Sequence, residues 1–136
     1  REQGYIRKGK REGEWVEYYD NGQLKAKENY ENCKQEGEWV TYHENGQLKA
    51  KKNYENGKQE GELVGYNEDR ELEGKGNYKN GKREGEWVGY YKNGQLYLKG
   101  NFKKGKFEGY WEVYNEDGTI NKEGTGTFKN GKKISD

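Results

Sequence analysis

The sequence predicts an all-β fold: an elongated antiparallel β-meander of repeated 24-residue β-hairpins in a single twisted open sheet, with residues 1–136 forming one array. Three observations predict it: residue columns that recur every 24 positions, Asn-Gly dipeptides between short segments, and strict polar/apolar alternation inside those segments. Trp15, Trp39, Leu63, Trp87 and Trp111 form the leading column, and Gly13, Gly37, Gly61, Gly85 and Gly109 precede it by two residues. Tyr18, Tyr42, Tyr66, Tyr90 and Tyr114 follow three residues later, and Leu24, Leu48, Leu72, Leu96 and Ile120 nine residues later. About five units are present, and Ile6 to Glu12 read as the tail of a preceding one.

Within a unit, two turns separate two strands. Asn-Gly stands at 21, 45, 56, 80, 93 and 130, and it suits a two-residue type I′ turn because both positions tolerate positive φ. Gln47 to Tyr54 places Leu48, Ala50 and Tyr54 on one face and Gln47, Lys49, Lys51 and Asn53 on the other, and Leu96, Leu98 and Phe102 repeat the parity. A loop at Asn45-Gly46 pairs Trp39 with Lys52, and one at Asn56-Gly57 pairs Ala50 with Leu63, so the Trp column shares the Leu/Ala/Tyr face. Opposite its later members stand Gly76, Gly100 and Gly124, bare backbone for a ring to cover. The Tyr18 column, three residues from Trp, should emerge on the other face unless a bulge intervenes. Turn centres alternate 11 and 13 residues apart, which staggers the pairing by two residues per unit. Five units at this strand spacing give a ribbon on the order of 50 Å long.

Composition bounds the function. Only 27% of residues are hydrophobic, and Leu, Ile, Val and Phe together number 17, a fraction usually associated with disorder. The 13 Tyr and 4 Trp supply the missing burial, and 26 basic against 25 acidic groups leave a net charge of +1. Balanced, interspersed charge predicts no nucleic-acid partner and disfavours membrane lipid. No apolar run reaches the roughly 18 residues of a membrane span. Met is absent and the chain starts at Arg1, so the compartment stays open: envelope or secreted if a signal peptide was removed, cytoplasmic otherwise. Ile134-Ser135-Asp136 stop short of another Gly-Glu-Trp, which leaves a longer array open.

The run Tyr-Glu-Asn-Gly-Lys-Gln-Glu-Gly-Glu at 54–62, followed by Leu63 or Trp, Val-Gly-Tyr and an Asn-Gly-Gln-Leu segment, resembles the MORN repeat in its bacterial variant form. The resemblance covers nearly the whole chain and implies stacked hairpins with roles in protein or lipid contact and in assembly. Some bacterial members are described as antitoxins; others carry a phosphatidylinositol phosphate kinase label borrowed from multidomain kinases. The third unit departs from the pattern at Leu63 and Arg70-Glu71, and the fifth at Thr119 with two extra residues before Phe128.

Chemistry is poorly represented. No glycine loop, strand lysine and metal-binding Asp/Asn combine as a kinase requires, since the 22 Gly follow the hairpin period. His43 and Cys33 are the sole residues of their types, so no metal cluster or nucleophile pair assembles from them. Cys33 holds a turn slot that is glycine in other units, and His43 reads as a surface substitution. The Glu column at 12, 36, 60, 84 and 108 recurs beside lysines at 10, 34, 58, 82 and 106, a solvated edge and not a catalytic pair.

The expectation is therefore a protein without catalytic, cofactor or metal residues that binds a protein partner or serves as a scaffold. Tyr18, Tyr42, Tyr66, Tyr90, Tyr91 and Tyr114 are the candidate contacts, while Trp15, Trp39, Leu63, Trp87, Trp111, Gly76, Gly100 and Gly124 are structural. The alternatives are an antitoxin or immunity protein that sequesters a toxin, and a phospholipid-binding module. Unpaired terminal strands also permit end-to-end or edge-strand self-association.

Overall fold

The structure, a computed structural model, describes residues 2–7 and 10–136, with side chains given for Gln3, Gly4 and residues 11–136. The side chain of Lys10, expected in the basic turn column, and the tail around Ile6 lie outside the described side chains. Among the described residues there are fourteen strands and no helix: β1 (Glu2–Arg7), β2 (Lys10–Tyr18), β3 (Leu24–Glu31), β4 (Lys34–Gln35), β5 (Gly37–Tyr42), β6 (Leu48–Glu55), β7 (Lys58–Gln59), β8 (Gly61–Tyr66), β9 (Leu72–Lys79), β10 (Lys82–Tyr90), β11 (Leu96–Lys103), β12 (Lys106–Val113), β13 (Gly126–Lys129) and β14 (Lys132–Ser135). They form one open antiparallel sheet in chain order, with the two-residue β4 and β7 pairing against β3 and β6.

The two edges of the ribbon carry different turns. Along one edge, at 31–34, 55–58, 79–82, 103–106 and 129–132, both central residues have positive φ, for example 55° at Asn56 and 85° at Gly57, as type I′ geometry demands. Cys33 takes the glycine position there at φ 67° and is exposed. Along the other edge the expected two-residue turn at 21, 45 and 93 is replaced by a three-residue loop. Gly22 N–H donates to the Tyr19 carbonyl at 3.0 Å, Tyr19 N–H donates to the Gln23 carbonyl at 2.9 Å, and in that loop positive φ falls on Gly22 alone. The Asn21 carboxamide oxygen accepts from Gln23 N–H, which explains the Asn by side-chain geometry and not by φ. Trp39 still pairs with Lys52, as expected, because the register skips Lys49 and so offsets the longer loop.

The expected stagger is concentrated at one place. Glu84 pairs with Asn77 and Val88 with Lys75, so β10 carries two more residues than β9 across that interval. Gly85 opens this bulge at φ 73°, and Gly13, Gly37, Gly61 and Gly109 lie within a few degrees of it. The bulge corrects one pairing: Ala50 faces Gly65, not Leu63.

Each bulge that is followed by Trp swings its indole over the preceding strand. A Cβ on Gly76 would fall inside the Trp87 ring, and one on Gly100 inside Trp111. Trp87 Nε1 donates to the Asn77 carbonyl at 3.0 Å, Trp111 to Asn101 at 2.9 Å and Trp39 to Asn29 at 3.3 Å. Gly76 is also paired with Leu63, and Gly100 with Trp87, so each glycine is overlain from one strand and hydrogen-bonded beside the other. Gly124 is a correction: Trp111 pairs with Gly126, and Gly124 sits in a turn against Val113, because the extra residues of the fifth unit displace it.

Burial follows the expected parity, alternating without a break along β6 and placing Leu96, Leu98, Gly100 and Phe102 on the covered face of β11. Packing is richest at the C-terminal end, where Trp111 is 0% exposed, stacked on Phe107 at 3.8 Å and edge-on to Phe102. The reverse face has its own ladder. Val40 pairs with Lys27 and Lys51, and Val64 with Lys51 and Lys75. Val40 is only 6% exposed between Lys27 and Lys51, whose stems are long enough to cover apolar surface with the ammonium groups in water.

Replacing Trp111 with Ala should cost about 3–5 kcal/mol, while Tyr97→Ala, which removes one ring pair at the surface, should cost about 0.5–1.5 kcal/mol. Urea denaturation of both variants checks this, and equal losses would contradict the assignment of the core.

Candidate functional site

The tyrosines three residues after Trp are half-buried at all five positions. Tyr18, Tyr42, Tyr66 and Tyr90 pair with the Leu column at Leu24, Leu48, Leu72 and Leu96, and Tyr114 bridges Ile120. The bulge residue lies on the opposing strand, so the Trp-to-Tyr segment alternates unbroken. At Tyr114 the expected face is seen directly, since its hydroxyl donates to Glu112 at 2.8 Å, two residues back on the side away from Trp111. That bond to a carboxylate, followed by burial, raises the Tyr114 phenol above its ordinary pKa.

The next column links units. Tyr19 Oη donates to the Tyr42 carbonyl at 2.7 Å, and Tyr91 Oη to the Tyr114 carbonyl at 2.7 Å. His43 Nε2 lies 2.9 Å from the Tyr66 carbonyl, which can only accept, so this nitrogen carries the proton. His43, expected as a surface substitution, thus does the work of a tyrosine hydroxyl. Asn21, Asn45 and Asn93 reach the carbonyls of Glu44, Glu68 and Glu116 in the same direction. The third unit does neither: Asn67 turns its oxygen to its own loop, and Asp69, which has no donor, replaces Asn.

The Glu column also has a defined task. Glu36, Glu60, Glu84 and Glu108 accept from the first backbone N–H of the following turn, at Asn56, Asn80, Lys104 and Asn130. These carboxylates hold turns in place. Among the described residues, no three His, Cys, Asp or Glu side chains converge as metal ligands would.

Two tyrosines stand out, and neither belongs to the columns singled out from the sequence. Tyr97 is 42% exposed and Tyr110 is 55% exposed. Tyr97 occupies the position of Lys25, Lys49 and Glu73, and Tyr110 that of Glu14, Glu38, Glu62 and Glu86. A ring has replaced a charge at positions that the other units fill without one; the deviation from the repeat is the signal in the sequence. Tyr91 packs on Tyr97 with ring centroids 4.8 Å apart. Its phenol pKa is raised, chiefly by burial and then by Tyr97, Glu116 and Asp117. Tyr91, Tyr97, Tyr110 and Tyr114 thus form a patch on the last two hairpins, whereas Tyr18, Tyr42, Tyr66 and Tyr90 are spread along the ribbon.

The family model of the MORN repeat variant matches residues 11–32, 35–56 and 83–104. The matched segments leave out the third unit, with Leu63 and Arg70, and the fifth, the two that depart from the pattern. Among curated proteins none matches the chain. Among solved structures, a chain in the crystal structure of the GtfA/B complex bound to UDP and GlcNAc is similar at a TM-score of 0.34 and 13% identity. The alignment covers 89% of this chain and 23% of that one, so this chain spans less than a quarter of its length.

Tyr91→Phe keeps the ring contact with Tyr97 but deletes the hydroxyl that crosses to Tyr114. It should cost about 0.5–1.5 kcal/mol, and His43→Tyr should cost less than that. Thermal unfolding of the two variants beside the parent measures the difference, and a neutral Tyr91→Phe would show that the hydroxyl carries no stabilisation between units.

Proposed function

Because the chain is a MORN repeat protein built on the variant form of that repeat, we propose that it is a non-catalytic binding module whose last two hairpins present tyrosines to a protein partner. The observation that carries this reading is the placement of Tyr97 and Tyr110 at exposed positions where other units hold charged residues. Beyond the Tyr91–Tyr97 contact these exposed rings add little to folding, but they supply contact area and a hydroxyl to an interface at low conformational cost. The rigid sheet beneath them, with the Tyr91 hydroxyl tied to the next unit, reduces the ordering cost of binding. Tyr91 and Tyr114 frame the contact, while Tyr18, Tyr42, Tyr66 and Tyr90 act mainly in packing. In its antitoxin form, the same reading has a toxin as the partner, held in a tight one-to-one complex.

The test is affinity capture from an extract of the source organism with the tagged chain and with its Tyr97→Ala/Tyr110→Ala variant, followed by mass spectrometry. Tyr110 is exposed and Tyr97 meets the Tyr91 ring, so the variant should stay folded and lose no more than about 0.5–1.5 kcal/mol, the contribution of one ring pair. We expect one stoichiometric protein that the variant loses by a factor of at least about 30, corresponding to about 2 kcal/mol from two interface anchors. The same partner retained by both baits would place the contact elsewhere and reject this patch.

A further inference from the structure

The chain-wide charge of +1 conceals a sorting of charge by position in the fold. Three successive turns on the type I′ edge, at 79–82, 103–106 and 129–132, contain seven lysines and no acid: Lys79 and Lys82, then Lys103, Lys104 and Lys106, then Lys129 and Lys132. All seven are exposed. At the first position of these turns the column reads Glu31, Glu55, Lys79, Lys103 and Lys129, changing sign at the third unit.

Three features make this a formed site and not scattered surface charge. First, among the described residues no carboxylate lies within ion-pair distance of any of the seven. Glu60, Glu84 and Glu108 each accept one backbone N–H of these turns, at Asn80, Lys104 and Asn130, which leaves seven ammonium groups against three carboxylates along the edge. Second, two of the seven stems are held. A Cβ on Gly105 would lie 3.8 Å from Lys82 Cβ, and one on Gly131 would lie 3.7 Å from Lys106 Cβ, so each lysine rests along the glycine of the following turn. Third, a groove of about 430 Å³ opens between the turns, lined by Lys58, Lys79, Asn80, Lys82, Glu84 and Lys104. The neighbouring groove of about 330 Å³ toward the N-terminus is lined by Glu55, Asn56, Lys58, Glu60 and Asn80 and lacks this charge excess.

We infer that the lysine edge from Lys79 to Lys132 binds a linear phosphate chain, read by charge and spacing alone. Successive turns stand about 10 Å apart along the sheet, which presents the ammonium groups as a track and not as a single pocket. Lysines are compact point charges suited to following a phosphate chain, and these turns contain no arginine fork to select a planar carboxylate. Arg83, the nearest guanidinium, is occupied over the Trp87 and Phe102 rings. No aromatic residue stands in the three turns, so nucleobases find no stacking platform there. The expectation of no nucleic-acid partner and of unlikely lipid binding rested on chain-wide charge balance, whereas these three turns carry a local excess of lysine.

The experiment titrates the full chain with long-chain inorganic polyphosphate at about 50 and about 200 mM salt, beside two variants. Lys79→Glu/Lys103→Glu gives the C-terminal turns the residue that Glu31 and Glu55 already hold in the same fold position, so the fold tolerates it. Glu31→Lys/Glu55→Lys extends the track. With four or five phosphates engaged, affinity should fall about 100-fold between the two salt conditions, a slope of about 3 to 4 in log–log form. The first variant should lower affinity at least about tenfold and flatten the slope by about 2, and the second should raise affinity. No binding at low salt, or equal binding by the parent and the Lys79→Glu/Lys103→Glu variant, overturns the inference. So does binding of single-stranded oligonucleotide or anionic phosphatidylserine vesicles with polyphosphate ignored.

Discussion

The indole laid across a neighbouring strand is the interaction on which the rest of this sheet depends. An isolated antiparallel sheet has no second layer to cover it, so its own side chains must exclude water from one face. The Gly-X-Trp bulge solves this locally. A left-handed glycine inserts extra backbone, the added twist throws the ring onto the previous strand, and the ring N–H satisfies a carbonyl there. Apolar burial and a polar bond thus arise from one residue. The small residues under the rings follow from the same geometry, since a Cβ at Gly76 or Gly100 would occupy the ring's volume.

Around this unit, the polar side chains form ladders that all point toward the next hairpin. Glu side chains cap the following turn, Asn side chains reach the following loop, and Tyr19, His43 and Tyr91 reach the following strand. Each bond is modest, about 1 kcal/mol net, but every one joins nearest neighbours, so stability accumulates as a sum over junctions. A composition this polar can therefore fold. Its Glu, Asn and Tyr residues act as connectors between units, and the short apolar inventory is concentrated at rings and valines.

The sheet and its hairpins were legible in the sequence because the 24-residue period aligns residues of like role in one column. Trp39 opposite Lys52 and the parity of β6 followed from turn chemistry and alternation. The pairing of Ala50 did not, because a bulge glycine and a turn glycine look alike in sequence and only the former adds residues to one strand. Nor did the burial of Val40 and Val64, because their cross-strand neighbours are lysines, which leave no apolar pattern around them. The candidate surface was legible only in part. Averaging over columns drew attention to the recurring Tyr18 and Tyr90 positions, whereas exposure singles out Tyr97 and Tyr110, which break the period. Charge behaved likewise: a sum over the chain erased a sign change between Glu55 and Lys79.

The third unit gives the ribbon an uneven mechanical character. Leu63 has no ring N–H to offer the second unit, Asn67 folds its side chain back on its own loop, and Asp69 cannot donate to the fourth. The junction to the second unit therefore keeps the His43 and Asn45 bonds but lacks an indole bond, and the junction to the fourth keeps the Glu60 and Trp87 bonds but lacks both loop ties. A rod assembled from unequally joined segments flexes, and finally parts, where the joint is softest. Here that joint lies between the third and fourth units, where neither loop side chain crosses; it separates the N-terminal hairpins from the tyrosine patch, and the lysine edge spans it.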